Sequence, residues 1–370
     1  MSKAAELAKA GETLTNQPSG RKNLVTNGAM QVAQRATSVT GLGASSGYFT
    51  CDRWKMNIGN TAGRLTMSQT ADGPSGFANC LKLDCTTADT SIAAGEVFTL
   101  RHNIEGQDLQ QIKKGTSDAE LITISFYVKA SAAFTFGVEL YDADNTRQIT
   151  KLYTTTTGWV RHELTFPADT TGAFTDDNLE SLQLGFWLHA GSTFASGTLN
   201  TAAWASNTNA NRAAGIDSFY SSTDNNFFIT GVQMEIGSQA TNFEHRSFGE
   251  ELALCERYCT VYKTNGEGQI PHSSATVDVA NRPELLLLYP KKRANPSIAV
   301  VNPTNFKLLT AANTAVVATG YGGTYLGTGP DSAIMFWNVS SGVATNALSG
   351  VIQQLLIFQN TGSITIDAEL

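Results

Sequence analysis

The sequence predicts an all-β fold in which a large jelly roll is followed by a short connecting helix and a smaller C-terminal β-sandwich. One observation is the succession of short apolar runs with near-alternating pattern, separated by Gly, Asn, Asp and Thr clusters, on both sides of one helical segment. Another is that no long helical period appears between residues 23 and 245. The composition agrees, because only 15% of the residues are charged and 33 are glycine.

The predicted strands fall into two regions. In the first region they are residues 48–56, 64–69, 79–84, 96–102, 120–130, 134–141, 148–154, 159–166, 181–189 and 226–235. In the second they are residues 284–289, 297–301, 306–309, 315–319, 332–339, 353–359 and 363–368. Residues 192–224 lack this alternation and are rich in Ala, Asn, Ser and Thr, so we expect an exposed insertion there.

A helix is predicted between the two β regions. Ser247 followed by Glu250 has the spacing of a capping box, which marks a helix start. One apolar stripe then follows, made of Leu252, Cys255, Tyr258, Cys259 and Tyr262. The predicted organisation is an N-terminal arm at 1–22, a jelly roll at 23–246, the connecting helix at 247–264 and a β-sandwich at 265–370.

Charge and cysteine content exclude several classes of protein. There are 25 Lys and Arg against 32 Asp and Glu, a net charge of −7, so we expect no nucleic-acid partner. No apolar run approaches the roughly 20 residues that a spanning helix needs, so we expect no membrane insertion. The first residues do not resemble a secretory signal, which predicts synthesis in a cytoplasm. Five cysteines, an odd number, then predict reduced thiols.

The sequence carries no recognisable catalytic or metal-binding motif. The five histidines are scattered and neither HExxH nor GxSxG occurs, so we expect no enzyme and no cofactor. The cysteine spacings do not match a zinc site. The turn from Asp142 to Asn145 offers carboxylates for Ca²⁺, but it also fits a hairpin turn capped by its own side chains, which we prefer. We therefore predict no metal site.

Some aromatic residues are not explained by strand alternation. Trp204, Phe219 and Tyr220 lie in the insertion, and Tyr321 and Tyr325 lie in a predicted Gly-rich loop. Because sugars stack on exposed aromatic rings, Trp204, Tyr220, Tyr321 and Tyr325 are candidate glycan contacts. The alternative is that these rings fill a core or an interface.

Charged residues near the two ends of the first β region are predicted to pair with each other. Asp52, Arg53 and Trp54 are expected in one strand, while Glu235, Glu244 and Arg246 flank the other end. We expect Arg53 or Arg246 to pair with Glu235 or Glu244 where the first and last strands meet. A catalytic role for these carboxylates is the alternative.

Three stretches resemble tail-fibre and receptor-binding proteins of tailed bacteriophages, of the type found in marine and cyanobacterial phages. They are NLVTNGAMQVAQR followed by YFTCDRW, then GVQMEIGSQATNFEHRSFGEELALCERY, and then LLYPKKRANPSIAV. Together they cover roughly residues 23–60 and 225–300, in the family's order. In the third stretch two lysines stand where relatives have apolar residues, which affects how the last domain packs.

The resemblance implies a virion structural protein with a carbohydrate-binding-module-like jelly roll, in most cases a homotrimer. The expected role is a tail fibre or adhesin that docks to tail or baseplate proteins through its N-terminal arm and binds host surface glycan. The expected location is the virion tail. Two alternatives remain open, a capsid decoration protein and a glycan-degrading tailspike.

Overall fold

The computed structural model describes residue 3 and residues 22–263, 268–269, 276–279, 282–310, 315–339, 352–357 and 362–370. It divides into two compact units, Met1–Glu251 with Leu370, and Leu252–Glu369. The predicted arm at 1–22 lies outside the described residues, apart from Lys3 and Lys22. Within the described residues, no helix is long and apolar enough to cross a membrane.

The first unit is a sandwich of two antiparallel sheets. Its strands are β1 (Ser38–Leu42), β2 (Gly47–Tyr48), β3 (Lys55–Gly59), β4 (Arg64–Thr70), β5 (Cys80–Thr87), β6 (Val97–Glu105), β7 (Ile122–Ala130), β8 (Thr135–Asp142), β9 (Arg147–Thr154), β10 (Val160–Phe166), β11 (Glu180–Ala190), β12 (Ala205–Ser206) and β13 (Asn226–Ile236). A helix α1 (Ser192–Ala195) and 3-10 helices at Gly106–Asp108, Gln110–Ile112, Asn209–Asn211 and Phe219–Ser221 lie between strands.

The two sheets of this unit enclose one apolar core. One sheet has the order β1-β4-β5-β13-β7-β10 and the other β12-β9-β8-β11-β6-β3-β2. Alternate residues of facing strands meet between them, as with the edge-to-face pair Phe126 and Phe186, whose ring centroids are 5.1 Å apart. Most strand predictions in this region agree with the structure within two residues, because strict alternation marks strands with one buried face.

Two predictions in this unit were wrong. Residues 48–56 do not form one strand, because the chain turns between β2 and β3 and Arg53 adopts a φ of 71°. The insertion at 192–224 is not simply exposed, because β12 pairs with β9 and buries part of the insertion on that sheet.

The helix α2 (Phe248–Glu256) begins at the predicted capping box. Ser247 Oγ accepts a hydrogen bond from Glu250 N at 3.3 Å, and Glu250 Oε2 accepts one from Ser247 N at 2.9 Å. The helix ends at Glu256, short of the predicted residue 264. The rest of the apolar stripe forms a strand, Cys259–Tyr262, because its backbone pairs with the last strand of the chain.

The second unit contains two further antiparallel sheets. Its strands are β14 (Cys259–Tyr262), β15 (Gly268–Gln269), β16 (Thr276–Val279), β17 (Arg282–Leu288), β18 (Ser297–Val301), β19 (Phe306–Thr310), β20 (Ala315–Thr328), β21 (Ser332–Val339), β22 (Ile352–Ile357) and β23 (Ser363–Asp367), with a 3-10 helix at Pro303–Asn305. The sheet orders are β14-β23-β18 and β15-β22-β19-β20-β21-β17-β16. Trp337 and Phe306 lie in the core, with ring centroids 4.7 Å apart.

The predicted Gly-rich loop in this unit is part of a strand. β20 runs through it and pairs with β21 across several register shifts, and Gly323 adopts a φ of 121°. The predicted fold class, an all-β chain with a large jelly roll, a short helix and a smaller β-sandwich, is confirmed.

Candidate functional site

The outer face of the seven-stranded sheet in the first unit is polar. Residues of β6, β8 and β11 that alternate with the core residues point away from the core. Register places Glu139 opposite Gly185, Gly185 opposite Arg101, and Arg101 opposite Lys55. The adjacent row places Tyr141 opposite Gln183. We call this set the polar face: Lys55, Arg101, Glu139, Tyr141, Gln183 and Gly185.

The insertion forms one side of the polar face. Arg212 donates from Nε and Nη2 to the two carboxylate oxygens of Glu139, each at 2.7 Å. Its guanidinium lies 4.7 Å from the ring centroid of Tyr141 and 5.2 Å from that of Trp187. Trp187 also donates from Nε1 to Glu139 at 3.0 Å. The charge of Glu139 is therefore neutralised, and half-buried Tyr141 borders the face.

Gly185 lies in the middle of the polar face and is itself buried. A Cβ built on Gly185 would have only ordinary contacts, 3.9 Å from Arg101 Cγ and 4.0 Å from Glu139 Oε2. A methyl group therefore fits at this position. Solvent reaches the polar face at its half-buried members, Lys55, Arg101, Tyr141 and Gln183.

Arg101 is the half-buried cation beside Gly185. Its Nε donates to Thr99 Oγ1 at 2.9 Å, which fixes the orientation of the side chain. Desolvation lowers the pKa of Arg101, opposed by the nearby Glu139 carboxylate. An arginine stays charged at neutral pH even so.

The row next to Gly185 and Arg101 carries further polar groups. Gln183 donates from Nε2 to Glu180 Oε1 at 2.5 Å. Leu370 groups with this unit, and its backbone oxygen accepts hydrogen bonds from Lys55 Nζ at 3.0 Å and Asn103 Nδ2 at 3.1 Å. Register places Asn103 directly opposite Gln183, so these groups lie side by side.

The predicted glycan contacts lie away from this face or inside the protein. Trp204 is 8% exposed and donates from Nε1 to Pro167 O at 2.9 Å. Tyr220 is fully buried against Phe98. Neither ring offers a face to a sugar, because both fill the core that joins the insertion to the sandwich. Tyr321 is half-buried against Trp337 in the second unit, and the side chain of Tyr325 lies outside the described residues.

The predicted pairing residues assemble the stretches that carry the phage resemblance. Arg246 donates from Nη2 to Asn23 O at 2.6 Å and from Nη1 to Val25 O at 3.2 Å. Glu244 Oε2 accepts from Asn23 N at 2.7 Å and lies 3.5 Å from Arg246 Nη2. Glu235 bonds locally, accepting from Thr241 N at 3.1 Å. The beginning of the sandwich is therefore bound to its end by backbone and carboxylate hydrogen bonds.

The CDRW segment joins the same assembly. Trp54 donates from Nε1 to Asn27 O at 3.0 Å, and Asn27 donates from Nδ2 to Asp52 O at 2.9 Å. Asp52 accepts two hydrogen bonds from Gln34. Arg53 is buried and donates to Asn103 O at 2.6 Å. These contacts fix the backbone and explain why the segment turns instead of continuing as a strand.

A buried Ser–His–Glu chain, not predicted from the sequence, lies at the end of the insertion. His189 hydrogen-bonds through Nδ1 with Ser218 Oγ at 2.7 Å and through Nε2 with Glu96 Oε2 at 2.8 Å. Serine hydrolases use these residue types as a catalytic triad. Here the imidazole is fully buried under Tyr220, and Ser218 Oγ also accepts from Tyr220 N at 3.1 Å. We assign this chain the role of fixing the insertion to β6 and β11.

A second concave region, of about 370 Å³, lies beside the 3-10 helix at Gln110–Ile112. Lys114 on its wall is buried and lies 2.6 Å from Asp142 and 3.0 Å from Asp169. Asp142 also accepts from Asn145 N at 3.0 Å, as expected of a capped hairpin turn. Among the described residues, no group of three metal-ligating side chains occurs.

Comparison with known proteins finds no matching family model and no matching curated protein. Solved structures with similarity include a family 4 carbohydrate-binding module, 12% identical over 57% of this chain and 99% of that one, with a TM-score of 0.29. Another is the family 11 carbohydrate-binding module of Clostridium thermocellum in complex with a β-1,3-1,4-mixed-linked tetrasaccharide, 11% identical over 57% and 99%, with a TM-score of 0.27.

A third similar structure is the enzymatically active domain of tailspike protein 4 of bacteriophage CBA120. It is 10% identical, with a TM-score of 0.29, and the match covers 58% of this chain but only 21% of the tailspike chain. These scores are too low to assign a function, so the functional conclusion rests on the residues of this chain.

Proposed function

We propose that this protein is a glycan-binding virion protein, a homotrimeric tail fibre or adhesin that attaches a tailed bacteriophage to its host. The observation that carries the proposal is the polar face, where planar hydrogen-bonding groups surround Gly185. Recognition of sugars needs such groups for the hydroxyls and an aromatic ring such as half-buried Tyr141 for the sugar ring. The face is built on strands, which hold these groups in fixed positions.

The resemblance to phage tail-fibre proteins supports the virion part of the proposal. Its first two stretches form one hydrogen-bonded assembly, in which Asn23 and Asn27 contact residues from both. The resemblance therefore covers a structural unit of the sandwich. Docking to tail proteins through the arm at 1–22 is part of the proposal.

Binding to a glycan array, using the full-length protein, tests the site. We expect Gly185→Leu to weaken binding at least tenfold, because a side chain larger than a methyl group would displace Arg101 and Glu139, which lie 3.9 Å and 4.0 Å from a Cβ at this position. Gly158→Leu is the control, since a Cβ at Gly158 meets nothing within 4 Å and that loop lies outside the polar face. Equal affinity of the folded Gly185→Leu variant and the wild type would exclude this face as the site.

Reconstruction of a virion that contains the chain tests the location. Density at the tail with threefold symmetry is the expected result. Density spread over the capsid lattice would instead identify a decoration protein. The proposal includes no enzymatic activity, so release of reducing sugar from a bound polysaccharide would contradict it.

A further inference from the structure

We propose that the polar face binds an acidic glycan, and that Arg101 pairs with a carboxylate on a sugar ring. This inference rests on the proposed glycan-binding function and adds the chemical class of the ligand. It depends on three observations, the open hydrogen-bonding capacity of Arg101, the arrangement of charge around it and its half-buried position.

Arg101 has hydrogen-bonding capacity that the protein does not use. Its Nε donates to Thr99, but within the described part of the chain Nη1 and Nη2 have no hydrogen-bond or ion-pair partner. Other half-buried or buried arginines of this unit are paired, as Arg212 is with Glu139 and Arg147 with Asp169. A guanidinium end with two open N–H groups matches the geometry of a carboxylate.

The charges around Arg101 do not pair with its guanidinium end. The neighbouring carboxylate Glu139 is bound at both oxygens by Arg212. Glu180, a second carboxylate that favours the charged form of Arg101, accepts a hydrogen bond from Gln183. On the other side, Lys55 of β3 lies directly opposite Arg101 in the strand register, and its Nζ donates to Leu370 O. Like charges at directly opposed positions repel each other, so an anion between or above them is favoured.

The position of Arg101 strengthens its attraction for an anion. The side chain is already half-buried, so part of its hydration is lost before a ligand arrives and less solvent screens the pair. Gly185, opposite Arg101 on the neighbouring strand, adds no side chain beside the guanidinium. Gln183, in the next row, presents an amide for ring hydroxyls.

The test measures binding of the protein to an array of acidic and neutral oligosaccharides. The array includes an oligomer of galacturonic acid and the same oligomer after reduction of its carboxyl groups. We expect the full-length protein to bind acidic members at least tenfold more tightly than their reduced counterparts. Binding should weaken as salt rises, because a charged pair is screened. Arg101→Gln should remove the preference for the acidic form. Arg101→Lys should retain only part of that preference, since lysine keeps the positive charge but lacks the planar guanidinium that binds a carboxylate through two N–H groups.

Lys82→Gln is the control, because it removes the same charge from β5 of the other sheet. Thermal unfolding of Arg101→Gln should be close to that of the wild type, since the change removes only the hydrogen bond from Nε to Thr99 and no ion pair. Equal binding of acidic and reduced oligomers, or binding unaffected by Arg101→Gln, would overturn the inference. If Gly185→Leu still abolished such binding, the proposed glycan site would stand. Absence of binding to every oligosaccharide would overturn both.

Discussion

Lys292 shows how a buried lysine can be accommodated in the second unit. It is only 1% exposed, whereas the neighbouring Lys291 is exposed. Its ammonium donates to Glu256 O and Thr260 Oγ1. Desolvation lowers the pKa of Lys292 to about 8, and Cys259 and Glu256 partly oppose that shift.

The depressed pKa of Lys292 predicts that stability rises with pH in a defined window. The folded pKa of about 8 lies below the ordinary value of 10.5, so the unfolded chain binds more protons between these pH values. We expect the free energy of unfolding of the wild type, relative to Lys292→Met, to increase by about 2 kcal/mol from pH 8 to pH 10. Denaturant unfolding of both proteins at each pH measures the difference, and a constant difference would contradict the prediction.

At the same scale, burial decided which aromatic residues were available for binding. The sequence made Trp204 and Tyr220 candidates because strand alternation does not explain them, yet both are in the core. The more informative residues, Arg101 and Gly185, are unremarkable members of strands in the sequence. Their significance depends on what lies opposite them on the neighbouring strand.

The insertion is the element that changes most between expectation and structure. Its Arg212 carries a buried ion pair to Glu139, and its backbone oxygen accepts from Thr150 Oγ1 at 3.0 Å. Gln148 donates to Thr208 O at 3.1 Å. A long polar segment that crosses a sheet needs such partners, because the backbone groups that it buries must be hydrogen-bonded.

Breaking the ion pair should loosen the insertion. Glu139→Gln keeps the shape of the side chain but leaves Arg212 charged and without its counterion, which costs about 3–5 kcal/mol for a buried pair. We expect lower stability in denaturant and faster tryptic cleavage after Arg212.

Glu163→Gln is the control, because the Arg161–Glu163 pair is partly exposed and worth less than about 1 kcal/mol. If Glu139→Gln were as stable and as resistant to trypsin as this control, the ion pair would not hold the insertion.

At the scale of the whole molecule, none of the five cysteines forms a disulfide and all five are buried. They are Cys51, Cys80 and Cys85 in the first unit and Cys255 and Cys259 in the second. Burial raises the pKa of the Cys85 thiol to about 11 and also raises the pKa of Cys51 and of Cys80. A thiol reacts as the thiolate, so burial protects all five groups, and protonation adds to the protection of Cys51, Cys80 and Cys85.

The native protein should therefore react slowly with a thiol reagent such as dithionitrobenzoate at neutral pH. We expect essentially no fast-reacting thiol in the native protein and all five after denaturation without reductant. Rapid reaction of the native protein would show that a cysteine is accessible. Fewer than five thiols after denaturation would show that a disulfide forms.

Much of the fold could be predicted from the sequence because its signals are local. Strand alternation gave β18 and β21 with their correct bounds, and Ser247 with Glu250 gave the start of α2. The same local signals predicted the wrong secondary structure where long-range contacts compete with local preference. Residues 52–54 turn because their partners lie at Asn27, Gln34 and Asn103, and Cys259–Tyr262 extends because β23 pairs with it.

By itself the sequence determined the all-β class, most of the strands and a helix that begins at Ser247, since these depend on side-chain period and on capping within a few residues. Only the tertiary structure decided the polar face. Its row joins β8, β11, β6 and β3, so Glu139, Gly185, Arg101 and Lys55 come from strands that are distant in the chain. The alternation of apolar and polar residues along a strand shows which side of the sheet each residue faces. The neighbours of a residue on the adjacent strands are instead fixed by backbone hydrogen bonds between strands.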